Sequence, residues 1–142
     1  MPAPDRTGLA EELAQVVSLL NRRMRAASPQ GSLTPSQRIA LGRLSEGPAT
    51  TAALARVEHV RPQSMRATLA VLEEQHLVAR RAHPTDGRQV VFSLTEAGRQ
   101  RVGAVRAAKQ SWLAEAVEAQ LDPAERQRLA AAVQLLRKVA RS

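Results

Sequence analysis

Apolar residues recur along this chain with the periods of helices and one short strand pair. Leu9, Leu13, Val16, Val17, Leu20 and Met24 follow each other at three- and four-residue steps. That pattern is a single stripe on a helix over roughly residues 5–27. Ser28-Pro29-Gln30-Gly31-Ser32 interrupts it. Thr34-Pro35-Ser36-Gln37 reads as a capping box with proline at the first helical position. Ile39, Leu41 and Leu44 follow, and Gly47-Pro48 ends that helix. Thr50 caps a short helix running through Leu54 and Val57. Arg61-Pro62 starts another, in which Met65, Leu69 and Leu72 lie on one face at i, i+4 and i+7. Gln63, Ser64, Arg66, Ala67 and Ala70 then point away from that face, and the surface they form is polar or small with no bulky apolar residue.

Leu77-Val78 opens a strand through Arg81, and Val90, Phe92 and Leu94 alternate on a return strand. Between them Pro84-Thr85-Asp86-Gly87 predicts a turn in which Pro sets φ, Asp bonds locally and Gly takes a positive φ. Thr95 caps a long helix carrying Val102, Val105, Trp112, Leu113, Ala116 and Val117. Asp122-Pro123-Ala124-Glu125 starts the last one, striped by Leu129, Val133, Leu136 and Val139 or Ala140. The order is four helices, a β-hairpin and two helices. The fold class is therefore mainly α with a small β-hairpin wing, a winged helix-turn-helix. The stripes of the first and last helices are long for a small domain to cover alone, and a partner subunit would bury them.

Composition sharpens this picture. The chain has 142 residues, a length that fits one domain. Phe92 and Trp112 are its only aromatic residues, so the core is aliphatic. Net charge is +8, carried almost wholly by arginine, since Lys109 and Lys138 are the only lysines. Such a balance suits a polyanion, nucleic acid before an anionic membrane. The absence of cysteine removes disulfides, thiol nucleophiles and thiolate metal sites. It fits a cytoplasmic protein, and Met1–Leu13 contains no apolar signal core, so export is not expected. No apolar run approaches the roughly 20 residues that span a bilayer.

The arginines around the hairpin give the charge a purpose. In a winged helix the second helix of the helix-turn-helix enters the major groove and the hairpin tip reaches the adjacent minor groove. Gln63, Ser64 and Arg66 are the major-groove candidates, since Gln pairs with adenine and Arg with guanine. Arg88 is the candidate for the minor groove, where an inserted arginine is favoured over A·T-rich sequence. Asp86, two residues earlier, is placed to hold its guanidinium. Arg61 at the helix start, and Arg80 and Arg81 on the other leg of the hairpin, are expected to meet phosphates.

The run Thr50–Arg99 resembles the DNA-binding core of the MarR family of bacterial transcription regulators. The resemblance is carried by Leu54-Ala55, by the Arg61-Pro62-Gln63-Ser64-Met65 helix start, by Leu72–Arg80, and by Asp86, Arg88, Leu94, Thr95 and Gly98. It implies one MarR-like chain over 1–142, with a winged helix-turn-helix DNA-binding lobe at 33–99. A helical dimerisation region would span 5–27 plus 100–140. It further implies a homodimer, joined by interlocked N- and C-terminal helices, that reads a near-palindromic operator in double-stranded DNA. Repression of nearby genes and release by a small, often phenolic or aromatic, effector are also implied. The family often has glycine where this chain has His76, and histidine adopts the left-handed conformation only at some cost.

Other functions find little support. No nucleophile elbow, phosphate-binding glycine loop or carboxylate–histidine cluster occurs, so the expectation is no enzyme, no catalytic residue and no cofactor. His59, His76 and His83 lack ligand spacing, and no metal site is expected. A membrane-surface helix would pair a basic face with bulky apolar residues, and the terminal helices have mixed charge. Scarce aromatics disfavour RNA binding. Trp112 reads as a packing residue rather than a ligand clamp. The alternative function is a ligand-independent winged-helix dimer that binds DNA architecturally or docks on protein. The sequence names no effector-binding residues.

Overall fold

The computed structural model describes residues 3, 5–28 and 33–142. Its elements are α1 (Arg6–Ala26), α2 (Pro35–Leu44), β1 (Ala49–Thr50), α3 (Thr51–Val57), α4 (Pro62–Glu74), β2 (Val78–Ala82), β3 (Val90–Leu94), α5 (Glu96–Gln120) and α6 (Pro123–Ala140). The expected break at 29–32 lies outside the described residues. The chain divides into two compact units, Met1–Ala27 with Ala108–Ser142, and Ser28–Ala107.

The second unit holds the core. Ala40, Leu41 and Leu44 of α2, Leu54 and Ala55 of α3, and Met65, Leu69 and Leu72 of α4 pack with Leu77, Val78, Phe92 and Leu94. Leu69 and Leu72 are fully buried. Ile39 is not part of this cluster: it is 48% exposed, because Ala40 rather than Ile39 shares the inward face with Leu41 and Leu44. Thr34 and Gln37 form the capping box that starts α2. Thr50 accepts from the Ala53 N–H at 3.1 Å and starts α3.

The sheet is wider than a hairpin. Ala49 and Thr50 pair antiparallel with Phe92 and Val91, giving a three-stranded sheet in the order β1-β3-β2. Thr50 therefore ends a strand and caps a helix at the same residue. In the β2–β3 ladder Val78 lies opposite Leu94 and Ala82 opposite Val90.

Two histidines end helices in the left-handed region. The α3–α4 turn puts His59 at φ 55, and the corner after α4 puts His76 at φ 61. Each sits in the same hydrogen-bonding pattern. Val60 N–H donates to Ala55 O and His59 N–H to Arg56 O; Leu77 N–H donates to Leu72 O and His76 N–H to Glu73 O. These paired bonds satisfy the last helix carbonyls and turn the chain sharply, a job usually given to glycine.

The second corner is locked from the other side. The Thr95 hydroxyl donates to His76 O at 2.6 Å and accepts from the Gly98 N–H at 3.0 Å. Thr95 N–H donates to Leu77 O at 3.1 Å. A Cβ on Gly98 would come within 2.1 Å of Leu77 O, so only glycine allows α5 to start this close to the corner. The Leu-Thr-x-x-Gly run of the sequence is thus a fastening between α5 and the corner that leads from α4 to β2.

The first unit has a different character. Asp5 caps α1 through the Gly8 N–H at 3.0 Å, and Asp122 and Glu125 form the box that starts α6. Arg126 donates to Leu121 O and Glu118 O, satisfying carbonyls at the end of α5. Trp112 is half-buried, with the Arg23 guanidinium 5.4 Å from its ring centre. Neither α1 nor α6 contains a buried residue. Leu9, Val16, Val17, Leu19 and Leu20 of α1 are exposed, as are Leu129, Val133, Leu135, Leu136 and Val139 of α6.

Candidate nucleic-acid interface

The α3–turn–α4 pair exposes one face of α4. With Met65, Leu69 and Leu72 turned inward, Gln63, Ser64, Arg66, Ala67 and Ala70 are all exposed. Pro62 holds the first turn, whose free N–H groups need no partner at proline. Arg61 is the N-cap residue and is exposed, and its side chain makes no capping bond. The Thr68 hydroxyl donates to Ser64 O at 3.1 Å, and Ser64 itself is exposed.

The hairpin turn is built differently from the sequence expectation. Gly47 is the glycine with positive φ among the described residues, and Gly87 is not. The turn closes instead through Gln89 N–H to Asp86 O at 3.0 Å, which makes Asp86 the first turn residue and Gly87 the second. Aspartate is favoured at that first position because its carboxylate accepts from the backbone two residues on. Arg88 N–H does donate to Asp86 Oδ1 at 3.1 Å. Asp86 also accepts from the Gln89 amide at 3.0 Å. The Gln89 bond first, and then the Arg88 N–H, hold the Asp86 carboxyl below the usual carboxylate range. The Arg88 guanidinium touches Asp86 only at 3.5 Å, and its side chain is 93% exposed. Asp86 thus shapes the turn first and restrains the Arg88 head second.

Arg80 and Arg81 part company. Arg81 is exposed on β2, opposite Val91. Arg80 makes a two-pronged bond to Glu73 at the end of α4, 2.7 Å from Nε and 2.8 Å from Nη2. Its guanidinium also lies 5.4 Å from the Phe92 ring centre. That hydrogen bond pulls the Glu73 carboxyl down and raises Arg80. Arg80, read from sequence as a phosphate contact, is engaged in joining the sheet to α4.

Between the start of α3, the outer face of α4 and β3 lies a cleft of ≈ 540 Å³. Arg56, Arg66, Arg80 and Arg88 all line it, with Thr51 and Gln89. The structure therefore brings Arg66 and Arg88 to one cleft, although they lie on different elements. Arg56 and Gln89 carry no local signal in the sequence, because only the packing of α3 and β3 beside α4 brings them together. His83, which the sequence marks only as a residue without metal-ligand spacing, sits at the hairpin tip. Among the described residues no group of three or more His, Cys, Asp or Glu is arranged to hold a metal ion. No helix among them is long and apolar enough to cross a membrane.

Comparison with known proteins agrees with this geometry. A family model described as MarR family matches residues 32–89. An uncharacterized HTH-type transcriptional regulator of Mycobacterium bovis is 43% identical over 129 residues, 90% of each chain. Among solved structures, a transcriptional regulator protein from Pseudomonas aeruginosa is 34% identical, with a TM-score of 0.87 over 99% of each chain. A MepR variant of S. aureus bound to an oligodeoxyribonucleotide shares the fold at 18% identity, with a TM-score of 0.71 over 93% of this chain and 97% of that one.

Proposed function

This chain belongs to the MarR family of transcriptional regulators and carries its DNA-binding helix-turn-helix, and from that premise we propose that it is a sequence-specific repressor working as a homodimer. The 33–99 lobe reads duplex DNA. Gln63, Ser64 and Arg66 meet base edges in the major groove. Arg61 and Arg81 meet phosphates, and Arg88, held at a turn shaped by Asp86, enters the neighbouring minor groove. The observation that carries this reading is the shared cleft: the exposed face of α4 and the tip of the hairpin present Arg66 and Arg88 to one arginine-lined space. A chain of net charge +8 adds the long-range attraction.

The dimer is supported by α1 and α6. Ten large apolar side chains of these two helices are exposed, and neither helix has a buried residue. Exposed apolar side chains in this number support an association face. The segments 5–27 and 100–140 are assigned this role, so that two lobes read a near-palindromic operator in the cytoplasm. Release by a small phenolic or aromatic effector rests on the family resemblance alone.

Genomic footprinting of the protein tests the function. A sequence-specific repressor protects a discrete promoter and binds it at least about 10³-fold more tightly than bulk DNA at physiological salt. Uniform protection, with promoter and bulk DNA bound alike, would instead make the protein an architectural binder.

A further inference from the structure

The hairpin tip contains an imidazole in an unusual position. His83 follows β2 directly, and its own backbone N–H donates to Gln89 O across the turn at 3.2 Å. Its Nδ1 accepts from the Asp86 N–H at 3.0 Å and from the Thr85 N–H at 3.2 Å, with the Thr85 hydroxyl at 3.4 Å. One ring nitrogen thus gathers two successive backbone donors. The second belongs to Asp86, whose carboxylate in turn accepts from the Arg88 N–H and the Gln89 amide. The chain of bonds runs from His83 to Asp86 to Arg88.

We propose that His83 is the positioning residue of the DNA-binding wing, and that the bonds its Nδ1 accepts hold the tip in the shape that presents Arg88. The inference rests on the reading of Arg88 given above. Both bonds need a lone pair at the place of Nδ1, which the ring supplies as an acceptor. Without that acceptor the tip is released. Once the tip is released, its ordering must accompany DNA binding, which weakens the complex.

Three substitutions separate the acceptor from the rest of the side chain. His83→Asn places the amide Oδ1 where Nδ1 stood and keeps the acceptor. His83→Gln and His83→Ala leave no acceptor there.

The experiment measures Kd for a duplex carrying the protected promoter segment, using wild type, these three variants and Arg88→Ala. Far-ultraviolet circular dichroism verifies that each is folded. Near pH 7.5 the Asn variant binds as wild type, while the Gln and Ala variants bind about tenfold more weakly, the loss expected for one or two hydrogen bonds. Gln and Ala variants of wild-type affinity overturn the proposal, as does an Asn variant weakened as much as they are. If Arg88→Ala is weakened while the His83 variants are not, the latch alone is wrong. If Arg88→Ala binds as wild type, the reading of the wing fails and the latch with it.

Discussion

Arg80 and Glu73 are joined by two parallel hydrogen bonds, 2.7 and 2.8 Å long, that tie the first long strand of the sheet to the last turn of α4. The pair spans a corner at which the chain reverses through His76, so it fixes how the hairpin leaves the helix. Two-pronged arginine–carboxylate contacts hold direction as well as distance. The two residues are expected to behave as a unit. In thermal melts the losses from Arg80→Ala and Glu73→Ala should sum to more than the loss in the double variant; simple additivity would contradict this. Arg80→Ala should weaken DNA binding without changing its salt slope, because the guanidinium is engaged by Glu73. Arg81→Ala should lower that slope by about 1, as loss of one phosphate contact does.

The same carboxylate gives the fold an acid limit. Arg80 holds the Glu73 carboxyl below its ordinary value, chiefly by hydrogen bonding, and the Gln89 amide does the same for Asp86. A carboxyl whose folded value is depressed contributes stability that is fully present above its unfolded value, near 4, and lost as pH falls through the folded value. The melting temperature should therefore drop below about pH 4. In Glu73→Gln the drop should be shallower, and an identical acid limb in the variant would remove Glu73 from the account.

Gly98 and Gly42 should respond to alanine with opposite signs. A Cβ at Gly98 would meet Leu77 O at 2.1 Å, so the start of α5 must move and the Thr95 bonds to the corner break. Gly98→Ala is expected to cost about 3 kcal/mol in denaturant unfolding. Gly42 lies inside α2, and a Cβ added there would find nothing within 4 Å. Gly42→Ala should stabilise by about 0.5–1 kcal/mol, since alanine restricts the unfolded chain and favours helix. Equal effects at the two positions would contradict the close approach of α5 to the corner.

His76 occupies a glycine position, with φ 61. A left-handed conformation costs a side-chain-bearing residue roughly 1–2 kcal/mol, and the greater freedom of glycine in the unfolded chain offsets part of this. His76→Gly should raise stability by about 0.5–1 kcal/mol. A loss of stability would mean that the histidine side chain contributes more at this corner than its backbone strain removes.

Much of the fold was legible because it is local. The capping boxes at Thr34 and Asp122 and the proline starts at Pro35, Pro62 and Pro123 all lie within one turn of the helices they open. The buried trio Met65, Leu69 and Leu72 follows from helical period alone. The features missed are those that depend on pairing across the chain. Thr50 announced a helix start and gave no sign of its pairing with Val91, because a two-residue strand has no period to read. Arg80 looked like its neighbour Arg81, and only the return of the chain past Glu73 separates their roles. Of the two left-handed histidines, His76 was marked by comparison with a family glycine, whereas His59 was not marked at all. Gly87 was expected at positive φ from its residue type, and the Asp86 carboxylate made that conformation unnecessary.

For the candidate interface the sequence offered the elements without their arrangement. Gln63, Ser64 and Arg66 were exposed by subtraction once the inward trio was known. That Arg66 and Arg88 line one cleft with Arg56 depended on three elements converging, which no local pattern encodes.

The central claim is that the outer face of α4 and the tip of the hairpin grip adjacent grooves of the same duplex. Footprinting of the protected promoter by wild type and Arg88→Ala tests it most directly, with hydroxyl radicals reporting the minor groove and guanine N7 methylation the major groove. Wild type should protect a major-groove segment and the minor groove beside it, and Arg88→Ala should lose only the minor-groove protection. Minor-groove protection that survives in Arg88→Ala, or that is absent from wild type, would contradict the account.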